Sequence, residues 1–459
     1  MKNQPISKEN KANDTSSSNR REFIKKATVG GLGVGLLSAD AYAGNEISIG
    51  EIQSKTTQNQ KIKITDIKVA VMANSPVVRI TTDAGISGYG QVESTKPYLK
   101  PHILFYKDYL VGEDPTNVER CMMKIRRMGS FKPWGSAVSA IEFALWDIAG
   151  KAANVPVYKL LGGKVRDQVR CYNGAIRVER KGSEPKDFHD WAVKVKALEQ
   201  GFTIVKTAVG FHGGMANTPG FYYGNVSASQ SKKDVGRRGP MTEWGLKTIV
   251  ERVAAIKEGL GDSVGLALDC GPGNMLSDAI RLANALEPFN LMWMEDLLTG
   301  DYTPYVMADD YLELTRSTTV PIHTGEQIYL RQNFRELIEK NAIRIVGPDP
   351  EDVGGIAEIK WIAEYADLHG IQMAPHGVFD GLIGLAAHVQ VGAAMPENFI
   401  AFEYPAPAEK WWYDIIEGLP DPIVKNGLIE VWDRPGLGVE FNVKAAKQYL
   451  AEEDKKFFD

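Results

Sequence analysis

Acidic residues recur in the second half of the chain, each at the end of a short apolar segment. Asp269, Glu295 and Glu326 end three successive segments of this kind. Three carboxylates directed at one space would repel one another strongly in a low-dielectric site. A hard divalent cation removes that repulsion, and Mg²⁺ takes oxygen ligands while keeping positions for water or substrate. The pattern therefore predicts a Mg²⁺ site at these three residues, although any one of them alone could be a solvated carboxylate.

An aspartate and a histidine stand at the ends of two later segments. Asp349 ends one apolar segment and His376 ends the next. A neighbouring carboxylate holds the tautomer of an imidazole and raises its basicity, which makes the histidine a good general base. His376 alone could equally be structural, but its position beside Asp349 and opposite a predicted cation site indicates catalysis. Lys206 and Glu403 lie on two further segments of the same type.

The apolar segments that carry these residues have the length of β-strands, and helical stretches separate them. Eight such segments predict an α/β fold with a TIM-type (β/α) barrel over residues 169–405, whose active site lies at the carboxyl ends of the strands. A doubly wound open sheet is the alternative, but no glycine-rich dinucleotide fingerprint follows the first strand. The predicted strands are 169–174, 203–209, 264–270, 291–297, 321–326, 343–349, 371–377 and 399–404.

An α+β domain precedes the barrel, over residues 62–168. Alternating or continuous apolar runs predict strands at 61–73, 77–82 and 88–92, with a turn at 83–85. A helical region follows from about Asn117 to Leu161. Apolar residues recur in it at helical spacing, namely Ala137, Ile141, Ala144, Leu145 and Ile148. Strands first and helices afterwards are typical of an α+β domain.

Short motifs in both domains resemble the mandelate racemase branch of the enolase superfamily, over about 62–459. In the first domain they are 144–148 (ALWDI), 150–151 (GK), 156–158 (PVY) and 160–163 (LLGG). In the barrel they are 293–296 (WMED), 324–326 (TGE), Asp349 with the pair 354–355 (GG), 375–376 (PH) and 402–404 (FEY).

The resemblance implies a capping domain, to which the C-terminal segment 406–459 returns, and removal of a proton α to a carboxylate. Such a proton is very weakly acidic, so the developing enediolate needs a metal ion and a hydrogen-bond donor such as a protonated Glu403. The implied site comprises three Mg²⁺ ligands, a base dyad and a glutamate that hydrogen-bonds the substrate, namely Asp269, Glu295, Glu326, Asp349, His376 and Glu403.

The chain departs from the pattern of that branch at two places. Racemases of the branch have Lys-x-Lys on the second barrel strand, but here Lys206 is followed by Thr207 and Ala208, so the second lysine is missing. Racemisation needs a proton acceptor on each face, so we do not expect it. Many acid-sugar dehydratases of the branch carry a histidine two residues after the first ligand, where this chain has Gly271.

Two hypotheses remain for the acid that protonates a departing hydroxyl. In the first, His376 removes the α-proton and then protonates the leaving group on the same face. In the second, the polar insertion 210–240 contributes, because its segment 219–224 (PGFYYG) resembles the tyrosine-bearing loop of mannonate dehydratases. Tyr223 would then act as a base with the help of Lys206 beside it, since a nearby ammonium lowers the pKa of a phenol. Otherwise Tyr223 is loop packing and Lys206 an electrostatic residue.

These features predict an acid-sugar dehydratase, a lyase that converts a 2,3-dihydroxy carboxylate to a 2-keto-3-deoxy acid. One alternative is a cycloisomerase of a sugar-acid lactone or anhydro-sugar acid, which needs the same base and metal but a weaker acid. Another is a non-catalytic sugar-acid-binding protein that keeps the metal. The expected partner in each case is a small sugar-acid-like carboxylate.

The N-terminal residues predict export. A polar stretch, the pair Arg20-Arg21 and a short glycine-rich apolar run end at Ala41-Tyr42-Ala43, which is typical of a twin-arginine signal over 1–43. Residues 44–61 are predicted to be a linker, and the mature protein to be periplasmic or exported without stable membrane insertion.

The net charge of -5 gives no indication of nucleic-acid binding, and the three cysteines are too few for a disulfide framework. The family commonly forms symmetric assemblies, so a homo-oligomer is expected.

Overall fold

The computed structural model describes residues 61–92, 96–128, 135–208, 218–223, 240–271, 274–298, 307–377, 381–407 and 410–459. Within them, Ile62–Asp459 forms one unit. The predicted signal at 1–43, the linker except Lys61, and most of the insertion 210–240 lie outside the described residues. No helix in the described ranges is both long enough and apolar enough to span a membrane.

Three antiparallel strands open the described chain, in the spatial order β1-β2-β3. They span Ile64–Met72, Ser75–Thr82 and Ser87–Gln91. Val, Ile and Thr are frequent in β1 and β2, and such β-branched residues favour a pleated, half-buried surface. All three strands fall where the sequence predicts them.

In the part of this region that the structure describes, five α-helices follow the sheet: α1 Lys100–Phe105, α2 Lys107–Leu110, α3 Val118–Met128, α4 Gly135–Ala153 and α5 Val157–Leu160. Helix α4 packs across β3 so closely that a Cβ on Gly90 would lie 1.8 Å from the Ala140 carbonyl oxygen. Only glycine allows this approach. The apolar positions predicted from helical spacing, from Ala137 to Ile148, are all buried in this interface.

Eight parallel strands form the barrel, in the order β10-β9-β8-β7-β6-β5-β4-β11. A parallel bridge between Met373 and Phe399 joins the two ends of this order, so the ring closes. Each strand lies within one residue of a predicted segment or inside it. The strands are β4 Gln168–Asn173, β5 Ile204–Ala208, β6 Gly265–Asp269, β7 Trp293–Glu295, β8 Ile322–Thr324, β9 Ile345–Val346, β10 Gln372–Met373 and β11 Phe402–Tyr404.

Helices cover the outside of the barrel and leave a small separate core inside it. The interior core consists of Tyr172, Ile204, Ala267, Trp293, Ile345, Ala374 and Ala401. The helices are α6 Pro185–Lys196, α7 Glu243–Leu260, α8 Leu276–Leu286, α9 Ala308–Arg316, α10 Arg331–Glu339, α11 Pro350–Val353, α12 Ile356–Leu368 and α13 Gly381–Ala394. The barrel is therefore packed below its carboxyl-terminal face, and the strand ends are left to carry polar residues.

The C-terminal segment contacts both the barrel and the first sheet. Strand β13 pairs antiparallel with β4, and the backbone N–H of Val71 donates to Asp454 Oδ2 at 2.7 Å. Asp147 of α4 accepts from the backbone N–H groups of Tyr89 at 3.1 Å and Leu437 at 2.9 Å. The elements are α14 Lys410–Ile415, β12 Ile416–Glu417, β13 Leu428–Glu430, β14 Glu440–Phe441 and α15 Val443–Ala446.

Candidate active site

A buried lysine joins two carboxylates at the centre of the barrel. Lys206 Nζ, on β5, lies 2.6 Å from Glu295 Oε1 of β7 and 3.0 Å from Glu403 Oε2 of β11. Lys206 is 4% exposed. Burial opposes its charge, but the two carboxylates outweigh burial and hold the pKa of Lys206 well above its ordinary value. The two ion pairs thus favour the charged form of Lys206 beside Glu295 and Glu403.

The two carboxylates that share Lys206 differ in their affinity for a proton. For Glu295, burial is outweighed by Lys206, His323 and His376, which lower its pKa to about 2. For Glu403, burial dominates and raises the pKa to about 7. Tyr172 OH also donates to Glu403 Oε2 at 3.2 Å. Glu295 is therefore a permanent anion, while Glu403 can hold a proton near neutrality and donate it in a hydrogen bond.

Asp349 and His376 form the dyad that the sequence predicts. His376 Nδ1 donates to Asp349 Oδ2 at 2.6 Å, and the other carboxylate oxygen accepts from the Glu351 backbone N–H at 2.6 Å. Because the Nδ1–H of His376 is held in a hydrogen bond to Asp349, Nε2 is the atom that can exchange a proton with a substrate. Nε2 lies 3.3 Å from Glu326 Oε2 and 3.7 Å from Glu403 Oε2. Burial opposes the charge of His376, but these carboxylates and Asp349 raise its pKa well above the ordinary value.

One group of three carboxylates in the described residues could hold a cation, and its membership differs from the sequence prediction. Single oxygens of Glu295, Asp296 and Glu326 all lie within 4.8 Å of one another. Asp269 pairs with Glu295 in the β6–β7 register, but its carboxylate is outside this group and Oδ1 accepts from the Gly271 backbone N–H at 2.9 Å. An all-oxygen, anionic donor set suits a hard cation such as Mg²⁺.

Asp296 is not among the predicted ligands, and the alternation of side chains along a strand would point the neighbour of Glu295 to the other side. In the structure Asp296 follows the last residue of β7 and has a φ of 50°, in the left-handed region. This conformation turns its carboxylate back toward Glu295. Thr324 donates to Asp296 Oδ1 at 2.5 Å and thereby helps to hold the turned side chain.

Models of two protein families match the chain. The Enolase C-terminal domain-like family covers residues 190–446, and the Mandelate racemase / muconate lactonizing enzyme N-terminal domain covers residues 51–162. The chain belongs to the mandelate racemase/muconate lactonizing enzyme branch of the enolase superfamily. The resemblance stated from its motifs is thereby confirmed, and so is the fold: a TIM-type barrel with an α+β capping domain.

Relatives within the superfamily cover nearly the whole chain. A D-xylonate dehydratase from Haloferax volcanii is 33% identical over 86% of this chain and 90% of its own length. A mandelate racemase/muconate lactonizing enzyme-like protein from Rubrobacter xylanophilus has a similar structure, with a TM-score of 0.73, 32% identity, and coverage of 86% and 99% of the two chains. The 3,6-anhydro-D-galactonate cycloisomerase from Zobellia galactanivorans has a TM-score of 0.68, 26% identity, and coverage of 85% and 100%.

Tyr223, the tyrosine proposed from the insertion, has an exposed side chain. Tyr223 is 66% exposed, and its backbone N–H donates to the Pro240 carbonyl at the base of the insertion. The phenol ring near Lys206 is that of Tyr172, with Nζ 5.7 Å from the ring centroid. The ring contact of Lys206 in the described residues is thus made by Tyr172, and the pairing of Tyr223 with Lys206 stays a prediction.

Two buried histidines contact residues of the site or the backbone next to it. His323 Nε2 lies 2.9 Å from the Ala374 carbonyl, and its ring stacks on Trp293 with centroids 5.5 Å apart. His388 Nε2 lies 2.9 Å from the backbone carbonyl of His376. His388 was missed from the sequence because it stands in the middle of α13, where its apolar neighbours predict only a core helix.

Proposed function

We propose that the protein dehydrates a sugar acid, taking a 2,3-dihydroxy carboxylate through an enediolate to a 2-keto-3-deoxy acid. The protein is thus a lyase of the dehydratase type, as its relatives' names indicate. The observation that carries the proposal is the Asp349–His376 dyad, whose Nε2 faces the carboxylates of Glu326 and Glu403. A strong base beside a cation site is the arrangement that α-proton abstraction requires.

The protein's own residues would divide the first step among them. His376 Nε2 takes the α-proton, while Asp349 keeps the imidazole in the correct tautomer. Glu403, whose pKa of about 7 lets it carry a proton, donates a hydrogen bond to the carboxylate oxygen on which charge develops. Lys206 adds a fixed positive charge beside Glu403.

We infer that Mg²⁺ is the resident metal ion. Glu295 and Glu326 would hold it, with the third carboxylate supplied by Asp296, as the geometry favours, or by Asp269, as the resemblance implies. When bound, the ion supplies positive charge that stabilises an anionic carboxylate without the need for a proton.

The exposed position of Tyr223 and the glycine at position 271 favour His376 as the acid of the second step. After taking the α-proton, His376 would return a proton to the departing β-hydroxyl on the same face. The proton leaves with the hydroxyl as water, so the base is regenerated without a further donor.

Cycloisomerisation of an anhydro-sugar acid or lactone is the second candidate, and the resemblance to the Zobellia galactanivorans cycloisomerase favours it. That reaction also begins with removal of an α-proton. The leaving group is then a ring oxygen, which remains attached to the product.

We further infer that the protein is exported and that it forms a homo-oligomer. Export is inferred from Arg20-Arg21 and the apolar run before Ala43. Replacement of both arginines by lysine should leave the protein in the cytoplasm of its host, as measured by cell fractionation. Light scattering of the purified protein tests the oligomer.

Proton NMR in D₂O tests the function directly. The protein with Mg²⁺ is incubated with a panel of pentonates, hexonates, anhydro-sugar acids and lactones. Loss of an α-proton signal with a new 3-deoxy methylene signal supports dehydration. A new methylene signal from an anhydro-sugar acid or lactone, with a product of the same mass as the substrate, would support the cycloisomerase. Metal-dependent binding without any α-proton exchange would contradict both and leave a sugar-acid-binding protein.

A further inference from the structure

A polar stripe on the capping-domain helix α4 faces the barrel at the end of β9. Ser136, Ser139 and Glu142 are spaced three residues apart, so they lie on one face of the helix. All three are buried. Each of them binds a residue in the segment that directly follows Asp349, so the stripe contacts the chain beside the catalytic dyad.

The first two contacts of the stripe hold helix α11. Ser136 Oγ donates to Asp352 Oδ1. The other oxygen of this carboxylate, Oδ2, lies 3.6 Å from Lys96 Nζ of the capping domain. The Gly354 backbone N–H donates to Ser139 Oγ at 2.9 Å. A helix of four residues cannot fix its own orientation through its own hydrogen bonds, so these external contacts define where α11 lies.

The third contact of the stripe holds the start of α12. Glu142 accepts from the backbone N–H groups of Ile356 at 2.7 Å and Ala357 at 2.9 Å. These are N–H groups of the first turn, which have no partner within the helix. The approach is so close that a Cβ on Gly355, which has a φ of 108°, would lie 2.1 Å from Glu142 Oε2.

Helix α11 in turn orients the carboxylate of the dyad. Asp349 is the N-cap of α11, and its Oδ1 accepts from the Glu351 backbone N–H at 2.6 Å. Its Oδ2 accepts from His376 Nδ1. One carboxylate therefore makes both bonds, and a movement of α11 rotates the oxygen that holds the His376 ring.

We infer that Ser136, Ser139 and Glu142 are positioning residues for the general base, through which the capping domain aligns the Asp349–His376 dyad. The inference rests on the proposed function for its catalytic consequence, but the alignment itself does not depend on which substrate is used. It assigns to α4 a role in turnover in addition to its packing against the capping sheet.

The experiment compares Ser139→Ala and Glu142→Gln with a control on the same helix, Asp147→Asn. Asp147 is also buried and also accepts from two backbone N–H groups, but those groups belong to Tyr89 and Leu437 and not to the segment that follows Asp349. Thermal unfolding is measured for all variants, so that activities are compared between variants of similar stability.

The first readout is a spectroscopic one that needs no substrate. A proton in a 2.6 Å hydrogen bond resonates far downfield, and the His376 Nδ1 signal is assigned by its disappearance in His376→Asn. We expect Ser139→Ala and Glu142→Gln to shift or broaden this signal and Asp147→Asn to leave it in place. An unchanged signal in both stripe variants would overturn the inference.

The second readout is turnover of the substrate found by NMR. We expect kcat to fall by about 10-fold or more in the stripe variants with little change in KM, which is the effect of a misaligned base. An equal fall in kcat for Asp147→Asn at matched stability would show that the stripe residues have only a structural role, and it would overturn the inference. If wild type turns over no sugar acid but the downfield signal responds as expected, the alignment is supported and the proposed function alone fails.

Discussion

The ammonium of Lys206 lies 2.6 Å from Glu295 and 3.0 Å from Glu403, so one buried cation separates two carboxylates inside the barrel. Removing one partner of a buried ion pair leaves the other charge uncompensated, which costs about 3–5 kcal/mol. We therefore expect Lys206→Met to lower the free energy of unfolding in EDTA by roughly that amount, as measured by urea titration. Lys186→Met is the matched control, since Lys186 pairs with Asp190 at the surface, and it should have no measurable effect. An equally small change for Lys206→Met would show that Lys206 does not compensate the two carboxylates.

The Asp349–His376 dyad is expected to carry most of the rate. A positioned general base contributes about 10²–10⁴-fold, so His376→Asn should reduce kcat by at least that factor. Asp349→Asn should also reduce kcat, because an amide cannot hold the same tautomer. Both variants should still bind Mg²⁺ and unfold cooperatively, although each loses a buried ion pair and should be less stable than the wild type. Turnover retained in His376→Asn would mean that another residue is the base.

Tyr223 is expected to be dispensable for proton transfer, because its side chain is 66% exposed and Lys206 is surrounded by other groups. Tyr223→Phe should leave kcat within about twofold of the wild type, since it removes only an exposed hydroxyl. Steady-state kinetics on the identified substrate measures this. A loss comparable to that of His376→Asn would restore the insertion as the source of the second catalytic group.

The identity of the third carboxylate in the cation site can be decided by affinity. Oxygens of Glu295, Asp296 and Glu326 lie within 4.8 Å of one another, so we expect Asp296→Asn to weaken Mg²⁺ binding by about 10-fold or more. Isothermal titration with Mg²⁺ and with Mn²⁺ measures the affinity without a substrate. Asp269→Asn is titrated in parallel as the ligand implied by the family resemblance. Unchanged affinity in Asp296→Asn, with loss in Asp269→Asn, would exclude Asp296 from the site.

Glu142 is expected to make stability depend on pH. Burial dominates its environment and raises its pKa from 4.5 to about 8, against the lowering effect of the N–H groups that it accepts from. The folded protein therefore binds the proton more tightly than the unfolded chain. The stabilisation is complete below about pH 4.5 and is lost as the pH rises through about 8.

The measurement for Glu142 is urea unfolding between pH 5 and 9, for wild type and Glu142→Gln. The free energy of unfolding of the wild type should fall relative to that of the variant by about 1 kcal/mol per pH unit below pH 8. Glutamine does not titrate, so subtracting the curve of Glu142→Gln from that of the wild type removes the contributions of the other residues. Parallel curves would mean that Glu142 is ionised throughout this range.

Much of the barrel and of its site follows from local patterns. All eight strands and the apolar stripe of α4 were predicted, because strand length, helical spacing and turn residues are properties of neighbouring residues in the chain. Topology then brings the carboxyl ends of parallel strands to one face. The pairing of Asp349 with His376 could therefore be predicted from the sequence, and in the structure His376 Nδ1 lies 2.6 Å from Asp349 Oδ2.

Other features depend on contacts between distant segments and were decided only by tertiary structure. Asp296 joins the carboxylate group because a left-handed φ at the end of β7 overrides the alternation of the strand. Tyr172 reaches Glu403, and the Ser136–Ser139–Glu142 stripe reaches the turn after Asp349, across more than two hundred residues of sequence. Periodicity reveals which residues face a core, but it contains no information on which distant polar atom completes a hydrogen bond. The chemistry of the strand ends was thus determined by sequence, while the partners that hold those groups in place were determined by the packing of one domain on the other.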